Sequence, residues 1–312
     1  MIDNTFLIGD LLGVGGSAKV YSVDADDGNQ YAMKIMRKDK DYTTEQAQKL
    51  VKHEYHTMTQ LPSHPNIISW VGYNDKGDAY LNDGVHQTQY LVFEKCQNGT
   101  LSKIIRQTGP LEEDICKLIF LQMCSAVKSM HDVNYAHLDI KLENILLDEF
   151  FNVKISDMGL AKNVKDTQGT INKRCGTYQY MAPEVKDRSF ESAFDAFSLD
   201  IYSLGVWLHL LLTGEFPWEY TFEDESMYTQ VTDDSFNSES ETRVKQRMQY
   251  LSQGARDLLQ DLLEEETVLR WKMDEVLQHS WFYGVDCDGL KEKVYDELNH
   301  RVQYINTSKS SN

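Results

Sequence analysis

The chain has 312 residues, of which 41% are hydrophobic and 26% are charged, and this balance excludes disordered, collagen-like and coiled-coil proteins. A chain of about 300 residues buries roughly three quarters of its unfolded surface, which allows one large domain or two lobes. Its 49 acidic residues outnumber its 31 basic residues and leave a net charge of −18, so nucleic acids and anionic membranes are disfavoured as partners and a basic protein partner is favoured.

Five short β-type runs, each bounded by turn residues, predict a small sheet early in the chain. They are Thr5–Leu12, Lys19–Asp24, Gln30–Met36, Ile67–Tyr73 and Gln89–Glu94. The segment Thr44–Gln60 has helical periodicity, so one helix is expected to pack on the sheet. The segment Tyr73–Gln89 is rich in turn residues and is predicted to be a loop longer than a hairpin needs. Residues 1–93 are therefore expected to form an N-terminal lobe.

Helical patterns replace the β-type runs after Gly99. Leu111–His131 and Asp200–Thr213 predict well-buried helices, and Ile145–Ile155 predicts a hairpin between them. We expect a mainly helical C-terminal lobe over residues 94–283, followed by a tail over residues 284–312.

Two later segments are predominantly polar. Glu219–Glu241 contains eight acidic residues and no basic one, which predicts a solvated, mobile insertion. Lys291–Ile305 predicts a short terminal helix, and its mixed charges make it a poor match to a calmodulin-binding helix.

The sequence also bears on the cellular compartment. The five cysteines are odd in number and form no C-x-x-C pair, so a reducing compartment is expected rather than a disulfide framework or a zinc site. Met1–Asp10 has no signal-peptide pattern, and the longest apolar stretch, around Leu204–Leu212, falls short of a membrane span. We expect a soluble cytoplasmic protein without membrane insertion, and the sequence does not predict its oligomeric state.

A glycine-rich segment, Gly13-Val14-Gly15-Gly16-Ser17, separates the first two β-type runs. Gly13, Gly15 and Gly16 have no Cβ, so the backbone N–H groups there can approach a phosphate. A dinucleotide-binding fingerprint would need a helix after the glycines, and a Walker loop would need Gly-Lys-Ser or Gly-Lys-Thr. Taken alone, the segment is more typical of an ordinary glycine-rich hairpin turn than of a phosphate-binding loop.

Four further motifs follow in order. They are Tyr31-Ala32-Met33-Lys34, His137-Leu138-Asp139-Ile140-Lys141-Leu142-Glu143-Asn144, Asp157-Met158-Gly159 and Ala182-Pro183-Glu184. Together with the glycine-rich segment they resemble the eukaryotic protein kinase family over Thr5–Tyr283, and their details look most like the calcium/calmodulin-dependent group of serine/threonine kinases. The resemblance implies a two-lobed α+β fold, with a small antiparallel β-sheet lobe carrying one helix and a larger, mainly α-helical lobe.

The resemblance also implies an ATP site between the lobes. Lys34 would contact the α- and β-phosphates and would be held by Glu54, unless the two are ordinary surface charges. Gly13, Gly15 and Gly16 would cover the phosphates. An apolar slot for adenine, closed at the back by Phe93, would be built from Leu12, Val20, Ala32 and Leu146 around the connector Glu94-Lys95-Cys96.

Catalytic and metal-binding roles are implied for four residues. Asp139 would accept the proton of the substrate hydroxyl, and Lys141 would neutralise charge on the transferred γ-phosphoryl group. Asn144 and Asp157 would offer oxygen ligands to Mg²⁺, with phosphate oxygens and water completing the octahedron. ATP and Mg²⁺ are therefore the expected cofactors.

Other motif residues are expected to be structural. By the resemblance, Glu184 would pair with Arg270, and Asp200 would anchor the backbone of the catalytic loop. His137 is interpreted as a packed core histidine, because the neighbouring Asp139 already has the role of the base.

Four residues depart from the family pattern, and none removes a reacting group. Ala18 replaces a glycine, which is tolerated if its φ is negative. Met158 replaces a phenylalanine of similar reach, and Leu142 stands where proline is common. Leu138 stands where most regulated kinases place an arginine that pairs with a phosphorylated activation loop. Control by loop phosphorylation is therefore not expected.

The predicted function is ATP- and Mg²⁺-dependent phosphorylation of serine or threonine hydroxyls in other proteins. Lys141 and Gly176-Thr177 resemble the serine/threonine pattern rather than the tyrosine pattern. A pseudokinase, a noncatalytic module of the same fold, would lack the lysine, the base or a metal ligand. A small-molecule kinase or nucleotide switch would not account for Cys175–Glu184, which in the family forms the platform for a peptide.

Substrate preference is implied at one acidic residue. In related kinases the position of Glu143 faces a basic residue upstream of the phosphoacceptor, whereas Thr100 occupies the place of a second carboxylate in several arginine-directed kinases. We expect a moderate preference for upstream Arg or Lys, set mainly by Glu143, unless Glu143 is simply a surface acid.

Overall fold

A computed structural model describes residues 1–37, 43–81, 84–187, 189, 192–217 and 248–310. The described residues form a small lobe built on an antiparallel sheet and a larger lobe that is mainly helical. The two-lobed α+β architecture predicted from the sequence is confirmed. The predicted acidic insertion, residues 219–241, lies outside the described residues.

The small lobe is a five-stranded antiparallel sheet with the strand order β1-β2-β3-β5-β4. Its strands are β1 (Phe6–Val14), β2 (Ala18–Ala25), β3 (Gln30–Met36), β4 (Trp70–Leu81) and β5 (Gly84–Glu94). One face buries Leu91 and Phe93 towards the main core, and the other buries Met33 and Val92 in a second cluster. The alternation of apolar side chains along β5 thus serves both faces.

The prediction of a long loop over Tyr73–Gln89 is wrong, because β4 and β5 extend through it as a hairpin. The amino terminus covers the extended strand: Ile2 is fully buried, and Asp3 accepts hydrogen bonds from Asn74 Nδ2 at 2.7 Å and from the N–H of Asp78 at 2.6 Å. The register also shifts between Asn74 and Gly77. Turn-forming residues are therefore tolerated inside a strand that a distant segment stabilises.

Helix α1 (Thr44–Gln60) has the bounds predicted from its periodicity. Thr43 and Gln46 form a capping box, in which the Thr43 hydroxyl accepts from the N–H of Gln46 and the Gln46 side chain accepts from the N–H of Thr43. Ala47 and Val51 are fully buried on its inner face. The same face carries Glu54, so packing of α1 directs this carboxylate inwards.

The large lobe contains seven described helices, three short strand pairs and three 3₁₀ turns. The helices are α2 (Leu101–Thr108), α3 (Glu113–Asp132), α4 (Pro183–Lys186), α5 (Ala196–Thr213), α6 (Gln253–Leu262), α7 (Met273–Leu277) and α8 (Cys287–Ser310). The strands are β6 (Tyr135–Ala136), β7 (Ile145–Leu147), β8 (Val153–Ile155), β9 (Lys162–Asn163), β10 (Thr170–Ile171) and β11 (Phe194–Asp195). The pairs are β6 with β9, β7 with β8 and β10 with β11. The 3₁₀ turns are Leu142–Asn144, Tyr178–Tyr180 and Ser280–Phe282.

Helix α5 is the core of this lobe. It begins four residues before the predicted Asp200, because Asp195 caps it by accepting from the N–H groups of Phe197 and Ser198. Its 18 residues have a mean hydropathy of 1.4, enough by length and composition to cross a membrane, but 83% of them are buried inside the protein. The predicted apolar stretch was thus shorter than the actual helix, which is enclosed by its neighbours.

The tail predicted after residue 283 is largely helix α8, which is longer than the predicted Lys291–Ile305. Val294, Leu298 and Ile305 are buried on one side of it. The Arg301 guanidinium donates to the carbonyl oxygens of Gly109 at 2.9 Å and Pro110 at 3.0 Å, at the end of α2. Helix α8 therefore packs into the large lobe.

Candidate active site

Lys34 lies in a network of opposite charges between the lobes. Its Nζ atom is 2.7 Å from Oε2 of Glu54, 2.9 Å from Oε1 of Glu54 and 2.8 Å from Oδ1 of Asp157. Burial works to lower the pKa of Lys34, but the charges of Glu54 and Asp157 outweigh it and raise the pKa. Burial works to raise the pKa of Asp157, and the charge of Lys34 outweighs it and lowers the pKa. The predicted Lys34–Glu54 contact is confirmed.

Asp139 lies at the centre of a second cluster. Its Oδ1 accepts a 2.7 Å hydrogen bond from the hydroxyl of Thr177, and its Oδ2 lies 2.7 Å from Nζ of Lys141. The same Nζ donates to Oγ1 of Thr177 at 2.7 Å. These contacts of Thr177 fasten the activation segment, the stretch from Asp157 to Glu184, to the catalytic loop, His137–Asn144.

The β7–β8 hairpin brings Asn144 and Asp157 together. The carbonyl oxygen of Asn144 accepts from the N–H of Ser156 at 2.9 Å and from its hydroxyl at 2.8 Å. Nδ2 of Asn144 donates to the backbone oxygen of Asp139 at 2.9 Å and to its Oδ2 at 3.2 Å. This orientation leaves Oδ1 of Asn144 as the acceptor atom of the amide.

The donor set of Asn144 and Asp157 fits Mg²⁺. One amide oxygen and one carboxylate are hard donors, and Mg²⁺ is usually held by few protein ligands with phosphate oxygens and water completing its shell. Within the described ranges, no group of three or more His, Cys, Asp or Glu side chains could hold a metal without such additional ligands. The pair is thus suited to a metal that arrives with a nucleotide.

Asp200 holds the backbone that leads to Asp139. Its Oδ2 accepts from the N–H of His137 and its Oδ1 from the N–H of Leu138, both at 2.8 Å. Leu138 has a φ of 64°, a left-handed conformation that costs about 1–2 kcal/mol for a residue with a Cβ. His137 is fully buried, and its Nδ1 accepts from the N–H of Asp139 at 3.2 Å. The predicted structural roles of Asp200 and His137 are confirmed.

The glycine-rich segment forms the turn between β1 and β2. The N–H of Gly15 donates to the carbonyl oxygen of Ala18 at 2.8 Å. A Cβ placed on Gly13 or Gly16 would meet no heavy atom within 4 Å, so the space beside these residues is free for a ligand. The φ of Ala18 is not positive. Alanine is therefore tolerated in place of glycine at this position, as expected from the sequence.

The residues predicted to form the adenine slot differ in exposure. Phe93 is buried, Leu12 is exposed, and the partly buried members are Val20, Ala32, Cys96 and Leu146. The carboxylate of Glu94 accepts from the N–H of Ser69 at 2.7 Å and lies 3.0 Å from Nζ of Lys154. The Glu94 side chain is therefore engaged within the chain, and its backbone N–H donates to the carbonyl oxygen of Ser69 at 2.9 Å.

One contact at the site was not predicted. Oε1 of Glu143 contacts Nη2 of Arg106 and accepts from the hydroxyl of Ser102 at 3.3 Å. Arg106 and Glu143 lie 37 residues apart, and a basic residue in the last turn of a helix is favoured by the helix dipole alone. The sequence therefore carries no signal for this ion pair beyond the spacing of Ser102 and Arg106 on one helical face.

Comparisons with known proteins agree with this geometry. The sequence model described as "Protein kinase domain" matches residues 6–282. The chain is 29% identical over 289 residues to the cell cycle serine/threonine-protein kinase CDC5/MSD2 of Saccharomyces cerevisiae, covering 93% of this chain and 38% of that protein. It is 31% identical over 293 residues to CBL-interacting serine/threonine-protein kinase 15 of Arabidopsis thaliana, covering 93% of this chain and 64% of that protein.

A third relative is the probable serine/threonine-protein kinase fhkC of Dictyostelium discoideum, 32% identical over 280 residues. That alignment covers 88% of this chain and 43% of the relative. The chain thus spans between 38% and 64% of the length of these curated relatives.

Proposed function

Because this chain belongs to the protein kinase family, we propose that it transfers the γ-phosphoryl group of ATP to serine or threonine hydroxyls of other proteins. The observation that carries the proposal is the linked cluster of Asp139, Lys141 and Thr177. Thr177 donates to Asp139 and accepts from Lys141, both at 2.7 Å. These bonds fasten the activation segment to the catalytic loop, so that a peptide held by the segment would present its hydroxyl to Asp139.

Asp139 is proposed to be the base. The acceptor hydroxyl oxygen forms a bond to the γ-phosphorus while the bond from that phosphorus to the β–γ bridging oxygen breaks, and the product nucleotide leaves as ADP. The hydroxyl proton passes to the Asp139 carboxylate, which has about four lone-pair sites and can accept it beside Thr177 and Lys141. Lys141 offsets the charge that develops on the transferred group.

Lys34 is proposed to bind the α- and β-phosphates, with Glu54 fixing its position. Gly13, Gly15 and Gly16 would allow backbone N–H groups to approach the phosphates. Asn144 and Asp157 would hold Mg²⁺, which supplies positive charge to the phosphate oxygens when it is bound.

The alternative is a noncatalytic module that keeps the fold. It predicts the loss of the lysine, the base or a metal ligand, whereas Lys34, Asp139, Asn144 and Asp157 are all present. They are hydrogen-bonded in two pairs, Lys34 with Asp157 and Asn144 with Asp139. Buried polar networks are costly to stability unless every member is satisfied, and proteins retain such sets mainly at functional sites. Retention of the whole set therefore favours an enzyme.

The decisive experiment is phosphate transfer from labelled ATP to a generic basic protein, with and without Mg²⁺. We expect transfer that requires Mg²⁺ and that falls by about 10²–10⁴-fold in Asp139→Asn, the usual contribution of a positioned base. No transfer by a folded wild-type chain, or equal transfer by wild type and Asp139→Asn, would favour the noncatalytic module.

Basic proteins are proposed as substrates on two grounds. The net charge of −18 attracts them at long range, and Glu143 offers a local acid next to Asn144. The pairing of Glu143 with Arg106 limits the second ground, because a substrate cation would meet a carboxylate that is already neutralised.

Activity is proposed not to require phosphorylation of the activation segment. Strands β10 and β11 already order it, and Thr167 and Thr170 each donate a hydroxyl hydrogen bond to the other's carbonyl oxygen, at 2.5 and 2.8 Å. Leu138 cannot pair with a phosphate. We expect phosphatase-treated enzyme and a Thr167→Ala, Thr170→Ala double variant to keep most of the wild-type kcat.

The kcat of the phosphatase-treated enzyme and of the double variant shows whether activity depends on phosphorylation of the activation segment. A kcat loss of a hundredfold or more, about 2.7 kcal/mol of activation free energy, would show that another basic group does the work of the missing arginine. Thr307→Ala, a change at an exposed threonine on α8, is the control for loss of a hydroxyl elsewhere.

A further inference from the structure

The carboxylate of Glu143 has three side-chain partners in two other parts of the large lobe. Oε1 contacts Nη2 of Arg106 and accepts from the hydroxyl of Ser102 at 3.3 Å, both on α2. Oε2 accepts a 3.5 Å contact from the hydroxyl of Tyr180 in the activation segment. Both oxygens of this acid therefore have partners within the chain.

This ion pair lies beside the candidate base. Glu143 directly precedes Asn144, whose amide donates to Asp139. Tyr180 lies three residues after Thr177, whose hydroxyl also donates to Asp139. A peptide whose hydroxyl reaches Asp139 must place neighbouring side chains near Glu143.

The pair is open to such side chains. The Arg106 side chain is 72% exposed and that of Glu143 is 39% exposed. A cation from a bound peptide can therefore reach the acid, but only in competition with Arg106.

Helix α2 keeps Arg106 in this position. Leu101, Ile104 and Ile105 are buried and fix one face of the helix, so Ser102 and Arg106, four residues apart, are directed towards Glu143. The far end is held by Arg301 of α8, as described above. Because both ends of this short helix are anchored, the Arg106 guanidinium lies beside Glu143 before any substrate binds.

Thr100 occupies the position where several arginine-directed kinases have a second carboxylate, and here it has a structural role. The Thr100 hydroxyl accepts from the N–H of Lys103 at 3.3 Å and caps the start of α2. Thr100 thus supports the helix that presents Arg106, and its own side chain offers no carboxylate to a basic residue.

We propose that Arg106 is a specificity-determining residue: it occupies Glu143 in place of a substrate cation and so suppresses a preference for basic residues upstream of the phosphoacceptor. The proposal rests on the proposed kinase function and adds the substrate class to it. A substrate arginine that displaces Arg106 exchanges one exposed guanidinium–carboxylate contact for another, and the net gain is small. Removing Arg106 leaves the Glu143 carboxylate available, so a substrate arginine then gains an ion pair on binding.

The test compares peptides that differ only by Arg or Ala at each upstream position in turn. Affinity is measured directly by anisotropy of labelled peptides, and kcat and KM are measured with Mg²⁺-ATP. We expect wild type to prefer the Arg peptide by no more than about twofold, and Arg106→Ala to raise this preference by about threefold to fivefold at one position, as one exposed ion pair allows. The increased preference for the Arg peptide should arise from a lower KM, and it should decrease with added salt.

Three variants make the result specific. Arg106→Lys keeps a cation and should keep most of the suppression, whereas the double variant Arg106→Ala, Glu143→Gln should lose the gain. Lys49→Ala removes one positive charge from an exposed pair on α1 in the other lobe and should leave the ratio unchanged.

The outcomes separate this inference from the proposed function. If Arg106→Ala binds Arg and Ala peptides with the wild-type ratio at every position, Arg106 does not suppress basic substrates. If Arg106→Ala gains affinity for the Arg peptide but neither wild type nor variant transfers phosphate, the inference about Arg106 holds and the kinase function is overturned.

Discussion

Asparagine in place of Asp139, or alanine in place of Asp157, is expected to lower kcat by about 10²–10⁴-fold, the range for loss of a positioned base or of a charge in the transition state. Asp139 is the proposed acceptor of the hydroxyl proton. Asp157 holds Lys34 through its Oδ1 at 2.8 Å and is a proposed metal ligand. Each change is measured at saturating peptide and Mg²⁺-ATP, so that the loss reports on the chemical step.

The two losses are expected not to multiply. Asn144 donates to Asp139 on one side and receives both bonds of Ser156, next to Asp157, on the other. Residues that stabilise one transition state as a unit give non-additive losses. The kcat of the double variant should therefore be little lower than that of the less active single variant.

The control for these two losses is a change at an exposed carboxylate far from the candidate site. Asp288→Asn removes a carboxylate that is 92% exposed and should keep wild-type turnover. Near-wild-type kcat in Asp157→Ala with Mg²⁺ would show that the proposed metal site is not used, and losses that multiply would show that Asp139 and Asp157 act independently.

Elements governed by local signals were predictable from the sequence. Helix α1 has the predicted bounds because its apolar spacing and its Thr43–Gln46 capping box act in the same direction. Strand β3 likewise has the predicted bounds, Gln30–Met36. In both cases the residues that determine the element lie within it or beside it.

Elements stabilised by distant residues were not predictable. The β4–β5 hairpin crosses a stretch of turn-forming residues because Ile2 and Asp3, more than 70 residues away, cover it. The contact of Arg301 in α8 with the carbonyl oxygens of Gly109 and Pro110 likewise joins residues 192 and 191 positions apart, and no local pattern indicates it. Tertiary contacts of this kind override local propensity.

The candidate site shows the same division. Motif order indicates Lys34, Glu54, Asp139 and Asn144, since each has a fixed place in a recognisable pattern. Arg106 belongs to no motif, and its contact with Glu143 depends on how α2 lies against the catalytic loop. Residues that do chemistry are therefore easier to predict than residues that modulate a neighbouring charge.

Leucine in place of Arg270 is expected to reduce the free energy of unfolding by about 3–5 kcal/mol, the cost of leaving a buried charge without its partner. The Arg270 side chain is fully buried and donates to both oxygens of Glu184 at 2.8 and 3.1 Å. It also donates to the hydroxyl of Ser198 at 3.0 Å and to the carbonyl oxygen of Glu264 at 2.8 Å. Unfolding in urea measures the change.

Variants of the pair separate charge from shape. Arg270→Lys keeps the charge but cannot supply the planar set of donors, so it should lose most of the same stability. The double variant Arg270→Leu, Glu184→Leu removes both charges and should be more stable than the sum of the two single losses implies. Lys49→Ala breaks an exposed pair with Glu45 and should cost less than about 1 kcal/mol. A loss that small in Arg270→Leu would mean that water reaches Glu184 and replaces the guanidinium, so that the end of the activation segment would not depend on this pair.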